Sequence, residues 1–201
     1  PPIFFYWYGD HRDLHLSIRL QLQMCIRDSV KSERGNIGDA IIYGLESNID
    51  FDVNNLIIKN DNISLNVFLN TAIIDSEYIR SEENGVIGKK VEFVPKYNIK
   101  TGIKLGIGNF IFNTQYSHVS TQFTDSSNAK EGNISGIIGE IPGYSLLDFS
   151  IAYRLKKIKI ETGINNLTNT YYFTRRATGY PGPGIIPSPP RNTYLTLQIR
   201  L

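Results

Sequence analysis

The residues able to carry chemistry are few. One cysteine, Cys25, and three histidines, His11, His15 and His118, are the whole supply of thiol and imidazole metal ligands in 201 residues. That excludes a disulfide framework and any cysteine-based zinc site, since both need several sulfurs at defined spacing. His118 has no second histidine or paired carboxylate at ligand spacing, so it carries neither metal nor proton transfer. Gly88-Lys89-Lys90 lacks the upstream glycine and the hydroxyl residue of a phosphate loop. Arg175 and Arg176 are different: two adjacent guanidinium groups in a long Gly- and Pro-rich stretch offer planar, paired donors suited to carboxylates. Tyr180 and the Pro181-Gly182-Pro183-Gly184 turn follow, and they read mainly as shape for that stretch. Lys and Arg (21) nearly balance Asp and Glu (19), so no basic field invites nucleic acid.

The elements that must position these residues are strands. From Val30 onward, period-2 alternation dominates over stretches longer than an ordinary globular strand. Ile41, Tyr43, Leu45, Ile49, Phe51 and Val53 oppose Gly44, Glu46, Asn48, Asp50 and Asp52. The pattern returns around Ile63 to Ile73, with Phe68 breaking its polar face, and around Ile99 to Ile107 and Phe110 to Tyr116. It is clearest where Leu147, Phe149, Ile151, Tyr153 and Leu155 oppose Asp148, Ser150, Ala152 and Arg154. Two further stretches follow, ending on Leu195, Leu197 and Ile199. A helical period fails, because charges would fall on every side of each wheel. Tight links near 106–109 and 154–157 alternate with long Gly, Asn, Ser and Pro-rich links at 76–89, 125–142 and 172–190. Short turns at one end and long loops at the other, with one apolar and one polar face, predict an antiparallel transmembrane β-barrel wall of about seven strands. A soluble β-sandwich binding module also alternates and remains the alternative of different class.

Several smaller readings accompany this one. Tyr43, Tyr116, Tyr144, Tyr153, Tyr171, Tyr172 and Tyr194 suit an interfacial aromatic girdle. Glu46, Asp50, Asp52, Lys100, Lys104, Asp148, Arg154, Lys157, Lys159, Glu161 and Arg200 are expected on the lumenal face. Residues 1–29 stand apart: they hold the only Trp, the only Met, the only Cys and two of the three His. Met24-Cys25-Ile26-Arg27-Asp28-Ser29 resembles a translated transposon adapter of short-read library preparation. Residues 1–29 are therefore read as an assembly artefact and 30–201 as the native part.

Gly163-Ile164-Asn165-Asn166-Leu167-Thr168-Asn169-Thr170-Tyr171-Tyr172 resembles the penultimate strand of TonB-dependent outer-membrane receptors. The following stretch, from Phe173-Thr174-Arg175-Arg176 through Pro190-Arg191, resembles the ferric-dicitrate members found in Bacteroidetes. Tyr43-Gly44-Leu45-Glu46 and Val94-Pro95-Lys96-Tyr97 are similar to further strand motifs of that family. The resemblance spans 37–201. It implies about the last seven strands of a 22-stranded barrel in the bacterial outer membrane, plugged by an N-terminal domain. It also implies import of an iron chelate, ferric citrate or another siderophore, using energy relayed by TonB. The expected partners are that chelate, TonB, the plug and outer-membrane lipid; TonB box, plug and signal peptide would lie outside this chain. No enzymatic activity and no cofactor are expected. On this reading Arg175, Arg176 and Tyr180 lie on the extracellular side as candidate ligand contacts, the alternatives for the arginines being a solvated pair or contacts to lipopolysaccharide phosphates. A passive porin with the same strand pattern stays open as a second reading.

Overall fold

The computed structural model describes residues 37–58, 60, 62–179 and 182–200. Eleven strands form in chain order: β1 (Gly38–Asp52), β2 (Ile63–Ser81), β3 (Tyr97–Ile107), β4 (Phe110–Val119), β5 (Gln122–Phe123), β6 (Glu140–Ile141), β7 (Tyr144–Leu155), β8 (Ile158–Asn165), β9 (Phe173–Ala177), β10 (Gly184–Pro187) and β11 (Asn192–Ile199). Seven of them make one open antiparallel sheet in the order β1-β2-β3-β4-β7-β8-β11, and β5-β6 and β9-β10 are small separate pairs. Every long strand pairs with its chain neighbour, as hairpin connections dictate.

Register explains why the alternating sequence settles this way. Residues opposite one another in an antiparallel pair share a face, so a slip of one residue would mix the two sets. One continuous row runs Phe51, Val67, Ile103, Thr114, Phe149 and Ile164 across six strands. The opposite face carries Asn48, Asn70, Lys100 and Ser117, and farther along Asn113, Ser150 and Gly163. Among the described residues nothing packs on the apolar face: Leu45, Leu195 and Leu197 are 68%, 75% and 61% exposed. Among the described residues the only buried hydrophobic side chains are Tyr78, Val86, Ile141 and Ala152. A two-sheet sandwich requires a dry layer between inner faces. This sheet has none, and its apolar face is built for lipid rather than for a second sheet.

Three connections are short or simple. Residues 108–109 link β3 to β4, residues 156–157 link β7 to β8, and a π-helical turn (Asn54–Ile58) lies between β1 and β2. The other three, residues 82–96, 120–143 and 166–191, leave from the opposite end. β2 has 19 residues, against roughly 9–11 for a tilted bilayer crossing, so it rises well above the membrane at the loop end. Ser76 to Ser81, which composition assigns to a loop, therefore continue the strand and pair with β1. Short strands likewise occupy parts of both other long links.

The girdle is real but smaller than its tyrosine count suggests. Tyr43, Tyr116 and Tyr153 take the apolar face. Phe110 packs on Tyr153 with ring centres 4.9 Å apart, near the short-turn end. Tyr194, by contrast, is opposite Gly163 on the polar face, and a side chain at Gly163 would meet its ring at 2.6 Å. Phe68 covers Gly102 in the same way. Each ring fills the space a neighbouring glycine leaves on the sheet, which is why an aromatic side chain interrupts a polar face. Tyr144 also has polar-face register, opposite Val119, and its ring packs against Tyr172 at 4.6 Å.

Candidate functional site

The loop end of the sheet is a stitched rim. Links 82–96 and 120–143 join through a reciprocal pair: the Lys90 backbone N–H donates to Asn128 Oδ1 at 2.7 Å, and Asn128 Nδ2 donates to the Lys90 carbonyl at 2.8 Å. Asn128 holds φ at 52°, a left-handed conformation that asparagine tolerates better than most residues. The Phe93 N–H adds a bond to the Phe123 carbonyl at 2.9 Å. Lys90 Nζ reaches Asp75 at 2.6 Å, and that hydrogen-bonded carboxylate holds the ammonium above its ordinary pKa. Tyr78 donates to Glu92 at 2.6 Å, anchoring the same link to β2.

Arg176 joins the second link to the third. From β9 its Nη1 donates to the Gly136 carbonyl and its Nη2 to the Glu140 carbonyl, both at 2.9 Å. Its guanidinium lies over the Phe173 ring at 5.2 Å. Gly132 and Gly139 make room for it: a Cβ on Gly139 would meet Gly132 Cα at 2.9 Å and Arg176 Nη2 at 3.2 Å. Nε of Arg176 is buried without a partner among the described residues. Its neighbour Arg175 is exposed in the same strand. The two arginines that sequence groups together are thus divided by the alternation of the strand. Tyr180 lies outside the described residues.

The base of the third link rests on Asn166, which is buried and holds φ at 54°. Its side chain accepts from the Thr170 N–H at 2.8 Å and donates to the Thr170 carbonyl at 2.9 Å, closing a tight loop that ends β8. Asp148 from β7 accepts the Asn166 backbone N–H at 2.8 Å. This is what the Asn-rich motif does physically: it turns the chain while satisfying polar groups at the strand end. Asp148, expected as a solvated lumenal charge, is a backbone acceptor here. Asp52 does similar work, taking both the backbone N–H and the side-chain amide of Asn55. Asn128 and Arg176 act through backbone groups of a different link and Asn166 through the backbone of its own, and the one signal in the sequence was the spacing of Gly132, Gly136 and Gly139.

His118 sits on the apolar face opposite Ser145, with Nδ1 at 2.9 Å from the serine hydroxyl, and Tyr116 donates to the same oxygen at 3.0 Å. Among the described residues no cluster of His, Cys, Asp and Glu could hold a metal ion. On the polar face a broad hollow is lined by Asn48, Asp50, Asn66, Asn70, Lys104 and Gln115. These side chains make the polar wall of the sheet.

One apolar and one polar face, aromatic edges, short turns at one end and interlocked loops at the other together define the wall of an outer-membrane β-barrel. A sequence model of the family described as "TonB dependent receptor-like, beta-barrel" matches residues 6–167, and the chain belongs to that family. Its place is the bacterial outer membrane. The fold is similar to that of the ferric citrate transporter FecA in its unliganded form: 27% identity, TM-score 0.68, covering 80% of this chain and 24% of FecA. It is also similar to the ferric yersiniabactin uptake receptor FyuA of Yersinia pestis, at 19% identity, TM-score 0.63, 82% of this chain and 24% of that one. The ferric-catecholate import receptor Fiu of E. coli K12 gives 13% identity and TM-score 0.62, over 85% of this chain and 22% of that one. The chain spans about a quarter of the length of these solved receptors.

Proposed function

We propose that the chain is the closing part of the barrel of a receptor that imports an iron chelate across the outer membrane, powered through TonB, with ferric citrate or a related siderophore as cargo. The observation that supports it most is the likeness to the ferric citrate transporter over four-fifths of the chain, on a sheet whose long links lock into one rim. We take Arg175, Arg176 and Tyr180 as the ligand-binding set, Arg175 and Tyr180 by contact and Arg176 through the rim it holds. Arg175 is exposed and free to meet carboxylate oxygens directly. Arg176 already uses both terminal nitrogens on backbone carbonyls, so it shapes the rim that the cargo meets. The plug and TonB are the partners of the complete receptor.

The test is uptake of radioactive iron as ferric citrate by cells that lack their own citrate receptor and express the full-length gene. Uptake is expected to stop when TonB is deleted and to fall when Arg175 is replaced by alanine. Uptake that continues without TonB would instead mark a passive porin. We also propose that residues 1–29 are foreign, on their composition and adapter-like hexapeptide, although the family match reaches back to residue 6. Single-molecule sequencing across this stretch and upstream of it decides between the two.

A further inference from the structure

We propose that the short-turn end of the sheet carries a second anion site, on the lumenal face, formed by Arg154, Lys156, Lys157, Lys159 and Arg200 and suited to a multiply charged carboxylate. This rests on the importer reading, in which such an anion is the cargo or its chelator. The five cations line one hollow together with Ile158 and Gln198.

Pairing in the sheet forces like charges together. Arg154 is directly opposite Lys159. The Arg200 backbone N–H donates to the Lys157 carbonyl at 2.8 Å, which sets those two residues side by side. Like charges placed across a strand pair destabilise it, so this arrangement costs stability unless an anion offsets it. Among the described residues the one carboxylate close by, Glu161, offsets Lys159 at 2.6 Å and accepts from the Tyr194 hydroxyl at 3.1 Å, so it is not free for the other cations. Among the described residues Arg154, Lys156, Lys157 and Arg200 make no ion pair, whereas Lys90 and Arg80 at the loop end each hold an aspartate.

Face and chemistry narrow the ligand. Arg154 and Lys159 share the register of Gln198 on the polar side, while Leu155, Ile158 and Ile199 take the lipid side at the same height. A phospholipid phosphate is thus on the wrong face, and the site lies on the lumenal side of the wall at its short-turn end. Two guanidinium forks among three ammonium groups match an anion that presents several separated oxygens. Concentrated positive charge at an opening also raises the local concentration of such anions.

Purified full-length receptor in detergent is labelled with acetic anhydride, with and without iron-free citrate, and the extent of modification at Lys156 and Lys157 is read by mass spectrometry. Citrate is expected to slow labelling of both lysines several-fold, while acetate and glycerol leave it unchanged. The double variant Arg154→Gln, Arg200→Gln should need about tenfold more citrate for the same protection. Labelling indifferent to citrate overturns the proposal. So does protection already complete before citrate is added, which would mean an acidic segment of the receptor itself covers the cluster. Labelling does not depend on transport, so an absence of iron uptake by the unmodified receptor counts against the importer reading alone.

Discussion

The two ends of the sheet use cationic side chains in opposite ways. At the loop end Arg176 is surrounded by carbonyl oxygens in a recess opened by glycines, and Lys90 is bound to Asp75. At the turn end Arg154, Lys156, Lys157 and Arg200 stand together with no ion pair among the described residues. The first arrangement holds three long links in one shape; the second leaves charge uncompensated and open to a visitor. Positive charge alone therefore does not mark a binding site. What distinguishes the two is whether the chain itself has supplied the acceptors.

Both ends depend on the belt between them, and breaking it should have the largest effect. Ile151→Arg, on the lipid face, is expected to cost about 2–4 kcal/mol in urea unfolding of the full-length receptor in lipid vesicles. Thr196→Arg, on the lumenal face opposite Glu161, should cost less than about 0.5 kcal/mol in the same measurement. Equal costs would reverse the assignment of faces on which the comparison of ends stands.

Asn166→Ala comes next, removing two side-chain hydrogen bonds and placing alanine at positive φ. A loss of about 2–3 kcal/mol is expected. Arg176→Ala should then loosen the rim by roughly 2 kcal/mol, seen as faster protease cleavage within 120–143. Arg176→Lys should not restore protection, because an ammonium cannot span the two carbonyls with a planar fork. The smallest effect is at the other end: Lys157→Gln should leave the thermal midpoint unchanged or raise it slightly, by relieving repulsion from neighbouring cations. A clear destabilisation there would mean Lys157 has an acceptor after all, and the contrast between the ends would disappear.

The alternation of Leu147, Phe149, Ile151, Tyr153 and Leu155 with polar residues was enough to assign strands and faces, since side chains in a strand point alternately to its two sides. The alternation of short and long links was legible from glycine, proline and asparagine content, although 76–81, assigned to a link, continue β2. Those are local properties, carried by each segment alone. They did not settle what each ring meets. Tyr194 is out of phase with Leu195 and Leu197 and so belongs to the polar face, but that its ring lies over Gly163 depends on the partner strand. Nor could they divide Arg175 from Arg176. The acceptors of Arg176 are the carbonyls of Gly136 and Glu140, some forty residues earlier in the chain, and they reach it only when two links fold against each other. The crowding of Arg154 with Lys159 and of Lys157 with Arg200 arises the same way, from cross-strand register. Periodicity along one strand is written in that strand alone. What a side chain meets across the sheet or between loops is a property of two segments at once, and only their packing decides it.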